Sequence, residues 1–176
     1  MTSVRLPPLK PAELDERQSR FLKPFTSPKG AYPNVFGTLA HHMDIVDAWR
    51  DFGLYTMRNS ALDPLLREIV VLRAALNAGC DYEWHHHRHI GLKVGLSDEQ
   101  IKRIHDRRPM DAEVHNLLLA ATDELCADQR LSDHGWGAMT AAFGVQRTID
   151  VIFTVGAYVS LAMFINSCGV EVEGAR

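Results

Sequence analysis

The sequence has no internal repeat, no low-complexity tract and no long run of like charges. It also lacks any stretch of alternating apolar and polar residues, and it contains no Asn-Gly or Asp-Gly pair. Those absences remove the usual signals of a β-hairpin protein. There is no basic excess: 19 Lys and Arg stand against 22 Asp and Glu, for a net charge of -3. No nucleic-acid or anionic-membrane partner is therefore indicated. Cysteine is scarce, with only Cys80, Cys126 and Cys168. An odd number of thiols does not make a disulfide framework, and the expectation is a reduced, cytoplasmic protein. The N-terminal residues have no apolar segment of signal-peptide length. The longest nearly apolar run, Val151 to Ile165, is interrupted by Thr154, Gly156 and Ser160. It falls short of the ~20 residues of a membrane span. It reads instead as a helix buried in the core or against another subunit.

What is present is enough apolar residue for one sizeable core: 46% of 176 residues are hydrophobic and 23% are charged, a balance that excludes wholesale disorder. Residues 1-34 form a Pro-rich N-terminal arm, with Pro7, Pro8, Pro11, Pro24, Pro28 and Pro33. Pro11 suits the first turn of a short helix ending near Leu22. Residues 35-176 read as one all-helical domain. Asp63-Pro64 is a helix cap followed by proline at the first position, and Ser97-Asp98-Glu99-Gln100 is a capping box. Gly53, Gly79, Gly95 and Gly144 mark stops or breaks. The pattern predicts helices near 12–22, 35–57, 64–78, 80–94, 98–107, 111–127, 133–143 and 146–166. The fold class is all-α, a compact multi-helix bundle.

The helix over 64–78 is apolar nearly all round, which predicts burial on most sides. Glu68 is out of place in it, because a buried carboxylate must be paired or protonated. Arg67, Arg73 or an arginine elsewhere are the candidate partners; in the functional reading Glu68 orients or ionises a neighbouring titratable group. The next helix holds four of the nine histidines within five residues. On a helical wheel, Cys80, Glu83 and His87 share one face with Trp84, Ile90 and Val94. His85, His89 and Lys93 take the opposite face, and His86 falls between. A thiol, a carboxylate and an imidazole in an apolar setting tune one another's ionisation. Cys80 at a helix start is expected to be acidified by the helix dipole. Glu83-x-x-His86 is half of a di-iron bundle motif, but the second half is missing, so no metal and no cofactor are expected. Any metal on the exposed histidines would be adventitious.

The segment Arg67-Glu68-Ile69-Val70-Val71-Leu72-Arg73, then Cys80-Asp81-Tyr82-Glu83-Trp84 with His87, then Gly95-Leu96-Ser97-Asp98-Glu99-Gln100-Ile101, resembles the carboxymuconolactone decarboxylase and alkylhydroperoxidase D-like superfamily. Leu39-Ala40-His41-His42 and the helix running from Thr148 through Tyr158 are similar as well. The resemblance implies an all-α subunit of the alkylhydroperoxidase D-like type that forms a homo-oligomer, a trimer or hexamer. It implies Glu68, Cys80, Glu83 and His87 as the catalytic set, with Tyr82 and Trp84 lining the substrate pocket. The hydroperoxidase branch has a Cys-x-x-Cys pair. Here Glu83 stands in place of the second cysteine, so an intramolecular disulfide cannot close at this motif. The expected activity is decarboxylase-like, on a small unsaturated or lactone carboxylic acid, through a Glu/His proton relay. The alternatives are a peroxiredoxin-like thiol peroxidase using Cys80, and a non-catalytic helical oligomer that binds a small ligand.

Overall fold

The computed structural model describes residues 3–174, and every regular element among them is helical. The elements are α1 (Glu16–Leu22), α2 (Asn34–Leu39), α3 (Met43–Leu54), α4 (Pro64–Asn77), α5 (Asp81–Lys93), α6 (Asp98–His105), α7 (Glu113–Asp128) and α8 (Asp133–Cys168). The all-α expectation therefore holds. The chain divides into two compact units, residues 1–53 with 164–176 and residues 54–163.

In the first unit, Leu22, Ala40, Met43 and Val46 form a small core with Phe21, Tyr32 and Phe36 packed against it. The helix predicted over 35–57 is not continuous. It breaks at Ala40–His42, where His41 and His42 make tight hydrogen bonds to Thr38 and Leu39. The freed groups find other partners: the Gln18 side chain donates to the Ala40 carbonyl, and His42 Nδ1 accepts from the Ile45 amide at the start of α3. Local polar partners thus override the helical periodicity here. A cleft of about 550 Å³ lies in this unit, lined among others by Leu6, Pro8, Lys10, Lys29 and Tyr32. None of the four expected catalytic residues lines it.

The second unit is built around α4. Every residue from Arg67 to Ala75 is buried, and α5, α6 and α7 pack around it. Ile69, Val70 and Leu72 join Leu96, Ile101, Ile104, Leu118 and Val151 in one core. Removing buried side chains of this size costs about 2–5 kcal/mol each. The cap at Asp63 forms as expected, its side chain accepting from the Leu65 amide. So does the Ser97–Gln100 capping box. Arg73, the expected alternative partner of Glu68, instead forms a two-pronged pair with Asp123 of α7, at 2.7 and 2.6 Å.

The predicted break near 144 is real. Gly144 sits at φ 76°, ψ 165° inside α8, a conformation that a side chain would resist. By length and composition α8 is the one helix among the described residues able to cross a membrane. Its residues Val151 and Val155 are instead part of the core, while Val145, Ile149, Phe153 and Met163 are exposed along its other side. Asp150, also buried, anchors the chain ahead of α4. It accepts from the Tyr55 hydroxyl at 2.6 Å and the Ala61 amide at 2.7 Å. A wide turn at Tyr55–Asn59 delivers that tyrosine. Asp150→Ala leaves both donors without their acceptor, and we expect a loss of about 2–3 kcal/mol, read by urea denaturation. Asp150→Asn, which keeps one acceptor, should lose less.

Candidate functional site

The site begins with the turn between α4 and α5. Gly79 lies in the left-handed region at φ 59°. Its amide donates to the Leu76 carbonyl, and the Cys80 amide donates to the Ala75 carbonyl. This is the paired closure that ends a helix at a glycine. Cys80 is also the N-cap residue of α5, with its carbonyl accepting from the Trp84 amide. One residue therefore closes α4 and opens α5. Its side chain makes no capping hydrogen bond and is almost wholly buried.

From that start, α5 brings Glu83 and His87 onto the buried face, at 3% and 9% exposure. His85, His89 and Lys93 are exposed and His86 is half-buried, as the wheel predicts. Glu68, 1% exposed, reaches from α4 to His87, with Oε2 2.7 Å from Nδ1. Its other oxygen lies 3.5 Å from Arg67 Nε. The buried carboxylate is thus paired twice, and both expectations for it, a neighbouring arginine and a titratable group, are met. The imidazole is held by Nδ1, and Nε2 has no hydrogen-bond partner among the described residues. A histidine fixed by a carboxylate at one nitrogen presents the other for proton exchange.

Glu83 is in the opposite situation. Both of its carboxylate oxygens are enclosed and make no well-formed hydrogen bond. The Cys80 thiol is the polar group coupled to it. Burial raises the Glu83 carboxyl to about 8. The Cys80 thiol is pushed up to about 12, first by burial and then by the Glu83 charge. The expected acidification of Cys80 by the helix start is therefore reversed. Desolvation and a neighbouring carboxylate outweigh the dipole, which is worth only about 0.3–1 kcal/mol even at the first turn. Cys126 and Cys168 are also shifted upward by burial.

Two residues matter here that residue spacing alone did not single out. Tyr158 of α8 packs edge-on against the His87 ring, with centroids 4.9 Å apart and planes at 89°. Arg67 was only one of several possible partners for Glu68. Tyr158 sits far along the chain in an apolar run, where periodicity marks it only as core. Of the two expected pocket residues, Tyr82 is buried, with its ring 4.5 Å from that of His86. Trp84 is half-buried and packs edge-on to His105 of α6 at 5.2 Å. Among the described residues, no three His, Cys, Asp or Glu side chains converge to hold a metal ion.

The carboxymuconolactone decarboxylase family model matches residues 44–123, which include Glu68, Cys80, Glu83 and His87. Over that span, a little under half of its length, the chain is similar to this family. Solved structures share its fold. An uncharacterized peroxidase-related protein from Ralstonia eutropha JMP134, an alkylhydroperoxidase core, is 17% identical with a TM-score of 0.85, over 99% of this chain and 95% of that one. A peroxidase-related protein from Silicibacter sp. TM1040 is 15% identical with a TM-score of 0.79, over 94% and 88%. The debrominase Bmp8 is 15% identical with a TM-score of 0.79, over 98% and 94%. At these identities the likeness is one of fold. No curated protein matches the sequence.

Two measurements follow from the ionisation of this site. At pH 8 we expect iodoacetamide to modify Cys80 at least ~100-fold more slowly than a thiol of ordinary acidity. Mass spectrometry of the Cys80 peptide reads this, and modification at the rate of a free thiol would show the shift to be absent. The second concerns Glu83, whose carboxyl titrates near ~4.3 in an unfolded chain and near about 8 when folded. Its contribution to stability is full below about pH 4 and is lost as pH rises through about 8. Glu83→Gln does not titrate, so it should gain on the wild type between about pH 5 and 8, by on the order of 3 kcal/mol. Urea denaturation of both proteins across that range measures the difference.

Proposed function

We propose that the protein is a decarboxylase-like enzyme acting on a small unsaturated or lactone carboxylic acid. The observation that supports this reading most is the contrast between two buried carboxyls. Glu68 is ion-paired and hydrogen-bonded to His87, while Glu83 is kept protonated by burial. Such a split assigns acid and base roles within one site.

In the proposed reaction the bond from the lactone to its carboxylate breaks, CO2 leaves, and the electron pair remains as an enolate-type anion. A proton must then be delivered to carbon. Glu83 is the acid that delivers it, from a dry environment that favours the neutral form. His87, oriented by Glu68, returns a proton to Glu83 from solvent. The apolar surroundings also favour converting a charged carboxylate into neutral CO2. Cys80 takes no part in this scheme, in keeping with its suppressed ionisation.

Carboxymuconolactone, the compound in the family's name, is the first substrate to assay. His87→Gln and Glu83→Gln should each lower kcat at least 100-fold, and Cys80→Ser should leave it within about threefold. The wild-type rate should fall as pH rises through about 8, where Glu83 loses its proton. Full activity in both His87→Gln and Glu83→Gln would sink the proposal. A second reading, thiol peroxidase activity, is favoured by the retention of a cysteine at the start of α5 beside Glu83. Peroxide turnover that is lost in Cys80→Ser would select it.

A further inference from the structure

The relay leaves one group beside His87 without a use. Tyr158 comes from the part of α8 beyond Gly144, an element that supplies none of the four relay residues. Its ring stands perpendicular to the imidazole and packs with Val71 and Ala74 of α4. The residue is 5% exposed. Yet its hydroxyl makes no hydrogen bond to any described residue. Tyr32 and Tyr55 are less buried, and each donates one, to the Leu9 carbonyl and to the Asp150 carboxylate.

The hydroxyl is not among the fully enclosed side-chain atoms that lack a partner, so it is open to a ligand rather than committed to the fold. Phenylalanine would keep the same ring contacts with Val71, Ala74 and His87, so the fold alone does not require the phenol. The phenol is also fixed as a donor. Burial, then the charges of Glu68 and Glu83, push its ionisation upward, so it holds its proton. In the proposed reaction Glu83 gives its proton to carbon and His87 restores it, so neither is left to hold a negative charge developing on oxygen. Glu68 contributes negative potential around Tyr158, and Glu83 adds to it once ionised. An enolate formed there gains most from a donor that is preorganised and uncharged.

We propose that Tyr158 is a substrate-contacting hydrogen-bond donor, whose hydroxyl binds the oxygen on which negative charge develops next to His87. This rests on the decarboxylase-like reading for the identity of that oxygen. It makes Tyr158 a determinant of substrate class: the site requires an oxygen acceptor adjacent to the reacting carbon, as in a lactone acid or an enone acid, and disfavours hydrocarbons and amines.

The test is Tyr158→Phe, which keeps the ring on His87 and removes only the hydroxyl. The binding probe is a saturated γ-butyrolactone carboxylate, which has the acceptor oxygens but no double bond to react. By calorimetry the variant should bind it about 10-fold to 100-fold more weakly than the wild type, while its melting temperature stays equal or rises. With carboxymuconolactone as substrate, kcat should fall more than KM changes. Binding within twofold of the wild type, or no binding of the probe by the wild type, overturns the proposal. A fall in melting temperature that accompanies the affinity loss also overturns it, since the hydroxyl would then be structural. Weakened probe binding in a protein whose wild type never turns over carboxymuconolactone leaves the donor role standing. That outcome would refute the decarboxylase reading alone.

Discussion

The contact between Glu68 and His87 is the constraint on which the rest of the site depends. A helix buried on all sides cannot carry an unpartnered carboxylate without losing several kcal/mol. α4 carries one at a position that is only 1% exposed. Arg67 supplies one partner from the same helix, and His87 supplies the other from α5. That second contact fixes how α5 lies against α4 and how the imidazole is turned. It also determines which ring nitrogen is engaged and which is presented.

Glu83 shows what happens when the same side chain is buried one helix away with no cation beside it. Its proton stays on, and the thiol next to it becomes harder to ionise. The contrast between the two glutamates arises from position. One has a guanidinium and an imidazole within reach, and the other has a thiol and apolar walls. Two buried carboxyls on adjacent helices can therefore take different chemical parts.

Much of this is legible in the sequence, because short-range rules govern it. Asp63-Pro64, Ser97 to Gln100 and Gly144 act through local backbone geometry, and each behaves in the structure as its type predicts. The face shared by Cys80, Glu83 and His87 follows from helical period alone. The pairing of Glu68 with His87 follows from the family resemblance and from the need to satisfy a buried charge. What escapes is long-range or competitive. The break at Ala40–His42 depends on Gln18 and on a histidine acting as a cap. The placement of Tyr158 depends on how α8 crosses α4 and α5 and has no periodic signature. The ionisation of Cys80 is not legible in the sequence for a different reason. Dipole and desolvation act in opposite directions at a helix start, and only the depth of burial decides between them.

The turn at Gly79 and Cys80 separates two duties that usually fall on one residue. The backbone of Cys80 ends one helix and begins the next, while its side chain caps nothing. The architecture thus leaves an enclosed, small-volume slot beside an acid. Its contents can change without altering the hydrogen bonds that shape the loop. A fold arranged in this way can exchange a thiol for a hydroxyl or a methyl group and keep the same scaffold. One helical frame can then serve redox chemistry in some descendants and proton transfer in others.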